Sequence, residues 1–126
     1  MIVVGATGES SSQSVVTNGT PASSDNSAYY AGSAYIYRRT DAGWIHEAYL
    51  KASNTNLNDE FGRAVFIASD RVVVGASKED SNQQTITNGS LSSQDNSLAN
   101  AGAAYVFQRS GSTWVQQAYL KAPNGD

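Results

Sequence analysis

The tetrapeptide Val3-Val4-Gly5-Ala6 occurs twice in this chain, the second time as Val73-Val74-Gly75-Ala76. Other segments return at the same spacing of 70 residues, and the longest identical one, Ala48–Ala52, recurs as Ala118–Ala122. Of the 56 residue pairs that this offset aligns without a gap, 26 are identical. The chain is therefore a tandem repeat. A near-continuous valine run of this kind is typical of a β-strand that is buried on both faces.

Each repeat unit is predicted to contain four short β-strands. In the second unit they span Phe61–Ala68, Arg71–Ala76, Gly102–Gln108 and Trp114–Lys121, and Ser69-Asp70 joins the first two as a tight hairpin. Polar and apolar residues alternate along the fourth strand. That pattern predicts a strand exposed at the outer edge of its sheet.

A repeating four-stranded antiparallel unit is typical of a β-propeller blade. We predict an all-β propeller segment with about two blades: residues 1–56 form an incomplete blade of three strands and the start of a connector, and residues 57–126 form a complete one. Fewer than two units cannot close a ring of about four to eight blades. We therefore expect either an excerpt of a longer chain or an assembly of several copies, and we favour the excerpt because open sheet edges promote aggregation.

The composition excludes several classes of function. The net charge is −3, which disfavours binding to nucleic acid, and the apolar runs are too short for membrane insertion. The absence of cysteine excludes disulfides, zinc–thiolate sites and thiol nucleophiles. The single histidine, His46, lies beside Glu47, but strand alternation places the two on opposite faces. We predict that the protein is not an enzyme.

The Phe61-Gly62 pair followed by Gly75-Ala76 resembles the FG-GAP repeat of integrin α-subunit-like propellers, in particular its bacterial extracellular branch. The resemblance implies a secreted or cell-surface protein, bacterial in type, that serves as a binding or adhesion scaffold. Trp44 and Trp114 stand at the start of the fourth strands, and we predict that they pack one blade against the next, with a platform for a ligand as the alternative.

Calcium is the cofactor to consider, because integrin members of the family bind it. The integrin members carry an Asp-x-Asp-x-Asp-Gly loop between the two motifs, where this chain has only the turn Ser69–Arg71. Calcium takes about six to eight oxygen ligands, so that site is not carried over, and the sequence requires no cofactor. A cation bound near Glu79 and Asp80, in the second long loop, stays open as an alternative.

The two polar loops, residues 7–31 and 77–101, are the predicted contact surface, because loops of this length are usually functional or disordered. By the resemblance they share one face with the connector, whose carboxylates are Asp59 and Glu60. The predicted partner-binding residues are Asp25, Asn26, Tyr29, Tyr30, Asp95 and Asn96. The alternatives are that the Asp and Asn residues form Asx-turns and that the tyrosines cover local apolar surface.

The function predicted from the sequence is a non-catalytic extracellular scaffold whose loops bind a protein or a carbohydrate, with further blades of the same chain or other copies as additional partners. Two alternatives remain open. The chain is a structural repeat subunit that self-assembles through blade edges, or it is the accessory propeller of a larger secreted enzyme.

Overall fold

The structure, a computed structural model, describes residues 1–125. Within that range it consists of β-strands, turns and loops, so no helix there could span a membrane. The strands are β1 (Ile2–Ala6), β2 (Thr17–Asn18), β3 (Ser33–Thr40), β4 (Gly43–Leu50), β5 (Phe61–Ala68), β6 (Arg71–Ala76), β7 (Thr87–Asn88), β8 (Ala103–Ser110) and β9 (Thr113–Leu120).

The strands form two antiparallel sheets, with the orders β1-β3-β4-β2 and β5-β6-β8-β9-β7. The register repeats with the sequence: Val4 pairs with Tyr35 in the first sheet, and Val74 pairs with Tyr105 in the second. Strands β5 and β6 have the bounds predicted for them. The predicted blade boundary after residue 56 falls in the connector between β4 and β5.

The prediction that the fourth strand of each unit is exposed at the outer edge is correct for its first half, where Ile45 and Val115 are exposed, and wrong for its second half. The short strands β2 and β7, which lie inside the long loops, pair with the outer sides of β4 and β9. Lys51 and Lys121 follow these strands and are buried, because loop carboxylates neutralise their ammonium groups. The two lysines that end the alternating pattern are therefore held in buried ion pairs, whereas Gln117 within β9 is exposed.

A β-bulge interrupts the alternation of the fourth strand at the same place in both sheets. Ile36 pairs with Ala48 and Tyr37 with His46, which leaves Glu47 as the extra residue. Gln117 is the extra residue of the second sheet. A bulge bends its strand and redirects a side chain. Here it turns Glu47 out of the regular pleat.

The two sheets meet where β5 packs against β1. A Cβ atom added at Gly5 would overlap the carbonyl oxygen of Gly62, so glycine is needed for this close approach. The Phe61 N–H donates to the carbonyl of Ala31, and the Phe61 ring contacts Tyr105 with centroids 5.2 Å apart. The Phe-Gly motif therefore supplies the backbone and ring contacts that join one sheet to the next. The core comprises Ala34, Ile36, Ala48, Leu50, Ala52, Phe61, Val72, Val74, Ala76, Tyr105, Phe107, Trp114 and Tyr119.

Candidate functional site

The two long loops fold in the same way. In the first, the Gly32 N–H donates to the carbonyl of Glu9 at 2.8 Å, and in the second the Gly102 N–H donates to Glu79 at 2.8 Å. The Ala28 N–H donates to the carbonyl of Ser10 in the first loop, and the equivalent bond recurs in the second. Each loop is thus closed at its base by main-chain hydrogen bonds, which gives it a defined shape.

Asp25 and Asp95 hold the middle of each loop together. One oxygen of Asp25 accepts from the backbone N–H and the hydroxyl of Ser12, at 2.7 and 2.9 Å, and from the Ser27 hydroxyl at 2.9 Å. These bonds stabilise the ionised carboxylate and lower the pKa of Asp25 to about 2. Asp95 accepts the equivalent backbone bond from Asn82 at 2.8 Å, and its pKa is also lowered. Both aspartates are therefore ionised and engaged within the loop.

The neighbouring amides Asn26 and Asn96 occupy equivalent exposed positions. The side-chain amide of Asn26 donates to the carbonyl of Ser24, and that of Asn96 donates to Gln94, both at 3.4 Å. These bonds are long, and the remaining polar groups of both amides face solvent.

Glu79 is wholly buried at the centre of a polar network. It pairs with Lys121 at 2.7 Å and accepts from the Tyr119 hydroxyl at 2.8 Å and from the Asn54 amide at 3.0 Å. The adjacent Asp80 accepts from a loop backbone N–H at 2.7 Å. Among residues 1–125 no group of three or more histidine, aspartate or glutamate side chains is arranged to hold a metal ion. The contacts of Glu79 are those of a structural ion pair that anchors the second loop to β9.

Asp59 in the connector is almost fully buried, and neither carboxylate oxygen has a hydrogen-bond partner of normal geometry. Burial disfavours the charged form, and the negative charges of Glu79 and Asp80 add to the effect, so the pKa of Asp59 rises to about 7. The N–H of Asn56 and the ammonium of Lys121 oppose this rise more weakly. Asp59 is thus a buried acid that changes its charge near neutral pH.

The connector is fastened to the first loop and to the start of the second. The N–H of Asn58 donates to the carbonyl of Tyr29 at 2.9 Å, and the N–H of Glu60 donates to that of Tyr30 at 3.1 Å. The Glu60 side chain pairs with Lys78 at 2.7 Å. The loops and the connector therefore form one continuous surface, as the family resemblance implies.

Tyr29 and Tyr30 project from this surface. Their rings are 4.4 Å apart, and Tyr29 is 64% exposed while Tyr30 is 39% exposed. A positive φ of 53° at Tyr30 places the two adjacent rings side by side. Exposed tyrosines combine an apolar ring face with a polar hydroxyl, which suits them to contact a sugar ring or a protein surface.

A shallow cleft of about 320 Å³ lies between the first loop and β9. Val15 and Trp114 supply its apolar wall, and Ser53 and Gln116 supply polar groups. The side-chain oxygen of Gln116 is buried without a hydrogen-bond partner. The cleft joins the loop surface to the junction between the sheets.

That junction is held by Glu47, which the sequence analysis did not select. Its carboxylate accepts from Nε and Nη2 of Arg109, at 2.6 and 3.0 Å, and from the indole N–H of Trp114 at 3.0 Å. Arg38 of the same sheet donates to it at 2.6 Å. Burial raises the pKa of Glu47, but the hydrogen bonds from Arg109, Trp114 and Arg38 outweigh it and hold the pKa below its usual value. The repeat alignment carries a signal for this site, because Arg38 and Glu47 are replaced by Gln108 and Gln117 in the second unit.

Comparison with known protein families gives a match. Residues 44–92 match a family model described as the FG-GAP repeat. The matched segment runs from Trp44 on β4 through the connector, β5 and β6 into the second loop, so it straddles the junction between the sheets. The predicted resemblance to the FG-GAP repeat is confirmed for residues 44–92, and the predicted all-β propeller-segment fold is confirmed as well. The bacterial extracellular branch of the family stays a prediction. Neither the curated proteins nor the solved structures contain a match to the chain.

FG-GAP repeats indicate a propeller-type binding or adhesion module, and they are typically non-catalytic and extracellular. The predicted partner-binding residues Asp25, Asn26, Tyr29 and Tyr30 all lie in the first loop, and Asp95 and Asn96 lie at the equivalent place in the second. Their roles in binding stay predictions.

Proposed function

We propose that this protein is a non-catalytic extracellular scaffold whose two polar loops bind a protein or a glycan. The loops are the surface best suited to this role, because hydrogen bonds within each loop and to the connector hold them in shape. Binding by a pre-shaped loop loses less conformational entropy than binding by a disordered one.

One observation carries the proposal: the internal framework of the two loops is the same, but their exposed side chains differ. Asp25 and Asp95 make equivalent framework bonds. Tyr29 and Tyr30, in contrast, are replaced by Ala99 and Asn100 in the second loop. A fixed framework with variable outward side chains is the arrangement expected of a surface that recognises a partner.

The tyrosine pair is the proposed contact point. Two exposed rings whose centroids lie 4.4 Å apart offer an apolar platform, and their hydroxyls offer hydrogen bonds at its edge. An aromatic contact adds about 0.5–1.5 kcal/mol beyond its buried area, so loss of the pair should weaken binding by roughly tenfold.

An array of defined oligosaccharides and purified extracellular-matrix proteins tests the proposal. We expect the wild-type chain to bind at least one component and the double variant Tyr29→Ala, Tyr30→Ala to bind it about tenfold more weakly. Ile2→Ala is the control, because Ile2 is 45% exposed but lies on β1, outside both loops. Binding that survives the tyrosine changes, or the absence of any binding by the wild type, would contradict the proposal.

We also propose further blades as partners, stacked on the open side of the second sheet. Gly5 and Gly32 of the first sheet are covered by the Phe-Gly strand of the second. Their equivalents Gly75 and Gly102 have no such neighbour, and Phe66, which lines a shallow groove together with Gly75, is 67% exposed. This open apolar surface is where we expect the Phe-Gly strand of another blade to pack.

A further inference from the structure

The junction between the two sheets contains a specific two-point contact on their outer strands. Glu47, on the bulge of β4, accepts two hydrogen bonds from Arg109 and one from the Trp114 indole. The Asn18 side chain makes two hydrogen bonds to the backbone of the same tryptophan. Its oxygen accepts from the Trp114 N–H at 2.7 Å, and its amide group donates to the Trp114 carbonyl at 3.2 Å. One carboxylate and one amide on the first sheet thus recognise one arginine and one tryptophan on the second.

The first sheet carries the same donor pair on its own opposite side. Arg39 and Trp44 stand 70 residues before Arg109 and Trp114, in the same β-hairpin. Trp114 is fully buried in the junction, whereas Trp44 is 52% exposed. Arg39 is exposed as well, and it forms no ion pair within residues 1–125. Within residues 1–125, no carboxylate accepts from this arginine and tryptophan.

We propose that Arg39 and Trp44 form a docking surface for a second β-blade of different sequence, one that presents a carboxylate at the position that Glu47 occupies here. This carboxylate would accept two hydrogen bonds from the Arg39 guanidinium and one from the Trp44 indole N–H. Glu47 accepts the same set of bonds from Arg109 and Trp114. The surface lies on the β3–β4 hairpin, at the end of the sheet away from the bases of the polar loops. It is independent of the ligand binding proposed for those loops.

A second copy of this chain is the wrong partner for this surface. The bulge position that would face Arg39 is Gln117, which is uncharged. The Arg38–Glu47 ion pair beside the first bulge is likewise replaced by Gln108 and Gln117, whose side chains hydrogen-bond to each other. The whole acceptor is therefore neutral in the second sheet.

The difference between the two acceptors is chemical rather than steric. A carboxylate accepts two parallel bonds from a guanidinium, and such charge-assisted pairs are about twice as strong as neutral bonds. A glutamine amide offers one oxygen and places an N–H donor where the second acceptor should be. An Arg39 that meets Gln117 would lose its own hydration for one neutral bond. The chain is thereby selective for a carboxylate-bearing blade over its own copy.

A mixing experiment with a single-residue change in the acceptor tests the proposal. The double variant Arg39→Gln, Gln117→Glu carries the carboxylate on its acceptor side and no arginine on its donor side, so it cannot polymerise through this contact. Mixed with the wild-type chain, it should form a one-to-one complex, measured by light scattering after size exclusion and by calorimetric titration. The control mixes the wild type with Arg39→Gln alone, and it should bind at least about tenfold more weakly.

A further mixture identifies the donor. The Arg39→Gln, Gln117→Glu variant mixed with the Arg39→Gln variant should show no more association than the control, since neither chain then offers the guanidinium. Arg39 and Gln117 are both exposed, so all variants should keep the wild-type circular dichroism and melting temperature. Equal affinity with and without Gln117→Glu would overturn the proposal. Persistence of the complex after Arg39→Gln on the donor chain would overturn it too.

Discussion

Glu47→Gln is the change that should most directly weaken the junction between the two sheets. The substitution keeps the size and shape of the side chain and removes its charge. In the wild-type chain the carboxylate is 4% exposed and receives hydrogen bonds from Arg109, Trp114 and Arg38. The glutamine side chain keeps one acceptor oxygen for these donors. Its NH₂ group takes the place of the second oxygen and faces the guanidinium groups of Arg38 and Arg109.

The size of the effect follows from these contacts. Removing one partner of a fully buried ion pair costs about 3–5 kcal/mol. The cost here should be lower, because the Arg109 side chain is 24% exposed and that of Arg38 is 40% exposed, so water can hydrate both cations. We expect a loss of about 2–3 kcal/mol of unfolding free energy, which lowers the melting temperature by roughly 6–12 °C in a chain of this size.

Urea unfolding followed by tryptophan fluorescence measures this loss, and Trp114 reports from inside the junction. Gln117→Ala is the matched control at the equivalent bulge, where the side chain is exposed and the expected change is within about 0.5 kcal/mol. If Glu47→Gln destabilises the chain no more than Gln117→Ala does, the carboxylate does not hold the sheets together. The reasoning would then be refuted.

Further predictions follow from the close approach of the sheets and from the buried acids. Gly5→Ala should destabilise the chain by about 1–3 kcal/mol through overlap with the next sheet, whereas Gly75→Ala, whose Cβ would meet only ordinary contacts at 3.7 Å, should be neutral in thermal melts. The raised pKa of Asp59 means that the unfolded chain ionises near 3.8 and the folded chain near 7. The folded state therefore loses stability as the pH rises through that window, and Asp59→Asn should flatten the pH profile of urea midpoints; an unchanged profile would argue against it. Glu79→Gln leaves the charge of a buried lysine without its partner and should cost about 3–5 kcal/mol, more than Glu9→Gln, where the carboxylate is 13% exposed; equal losses in chemical denaturation would contradict this order.

Much of the fold was predictable because its information is local. The Phe61–Ala68 and Arg71–Ala76 strands were predicted with the bounds that the structure has, since apolar runs and an intervening turn define them. The shared identity of the two units also predicted matching sheets. Long-range pairing was not predictable in this way: β2 and β7 are two residues long, and they form only because the loop folds back onto the fourth strand.

In the candidate site, too, features that depend on local sequence were predictable and features that depend on distant residues were not. The positions of Tyr29 and Tyr30 on a loop surface followed from the polar composition around them. The burial of Lys51 did not, because its partner Glu9 lies 42 residues earlier in the chain. Glu47 was hidden for a related reason: strand alternation does not foresee a bulge, and the bulge is what turns this carboxylate towards the next sheet.

Equivalent residues of a tandem repeat need not share an environment, since each unit is completed by its neighbour. Trp44 and Trp114 occupy equivalent positions of the repeat, yet one is 52% exposed and the other is fully buried, because only Trp114 packs against a neighbouring sheet, whose Asn18 and Glu47 hydrogen-bond to it. Replacement of Glu47 by Gln117 in the next unit removes that carboxylate while leaving the glycines for close packing, Gly75 and Gly102, in place. The glycines of both units therefore allow another sheet to pack closely. In our proposal, the charge at the bulge position determines which sheet can pack against a given arginine and tryptophan.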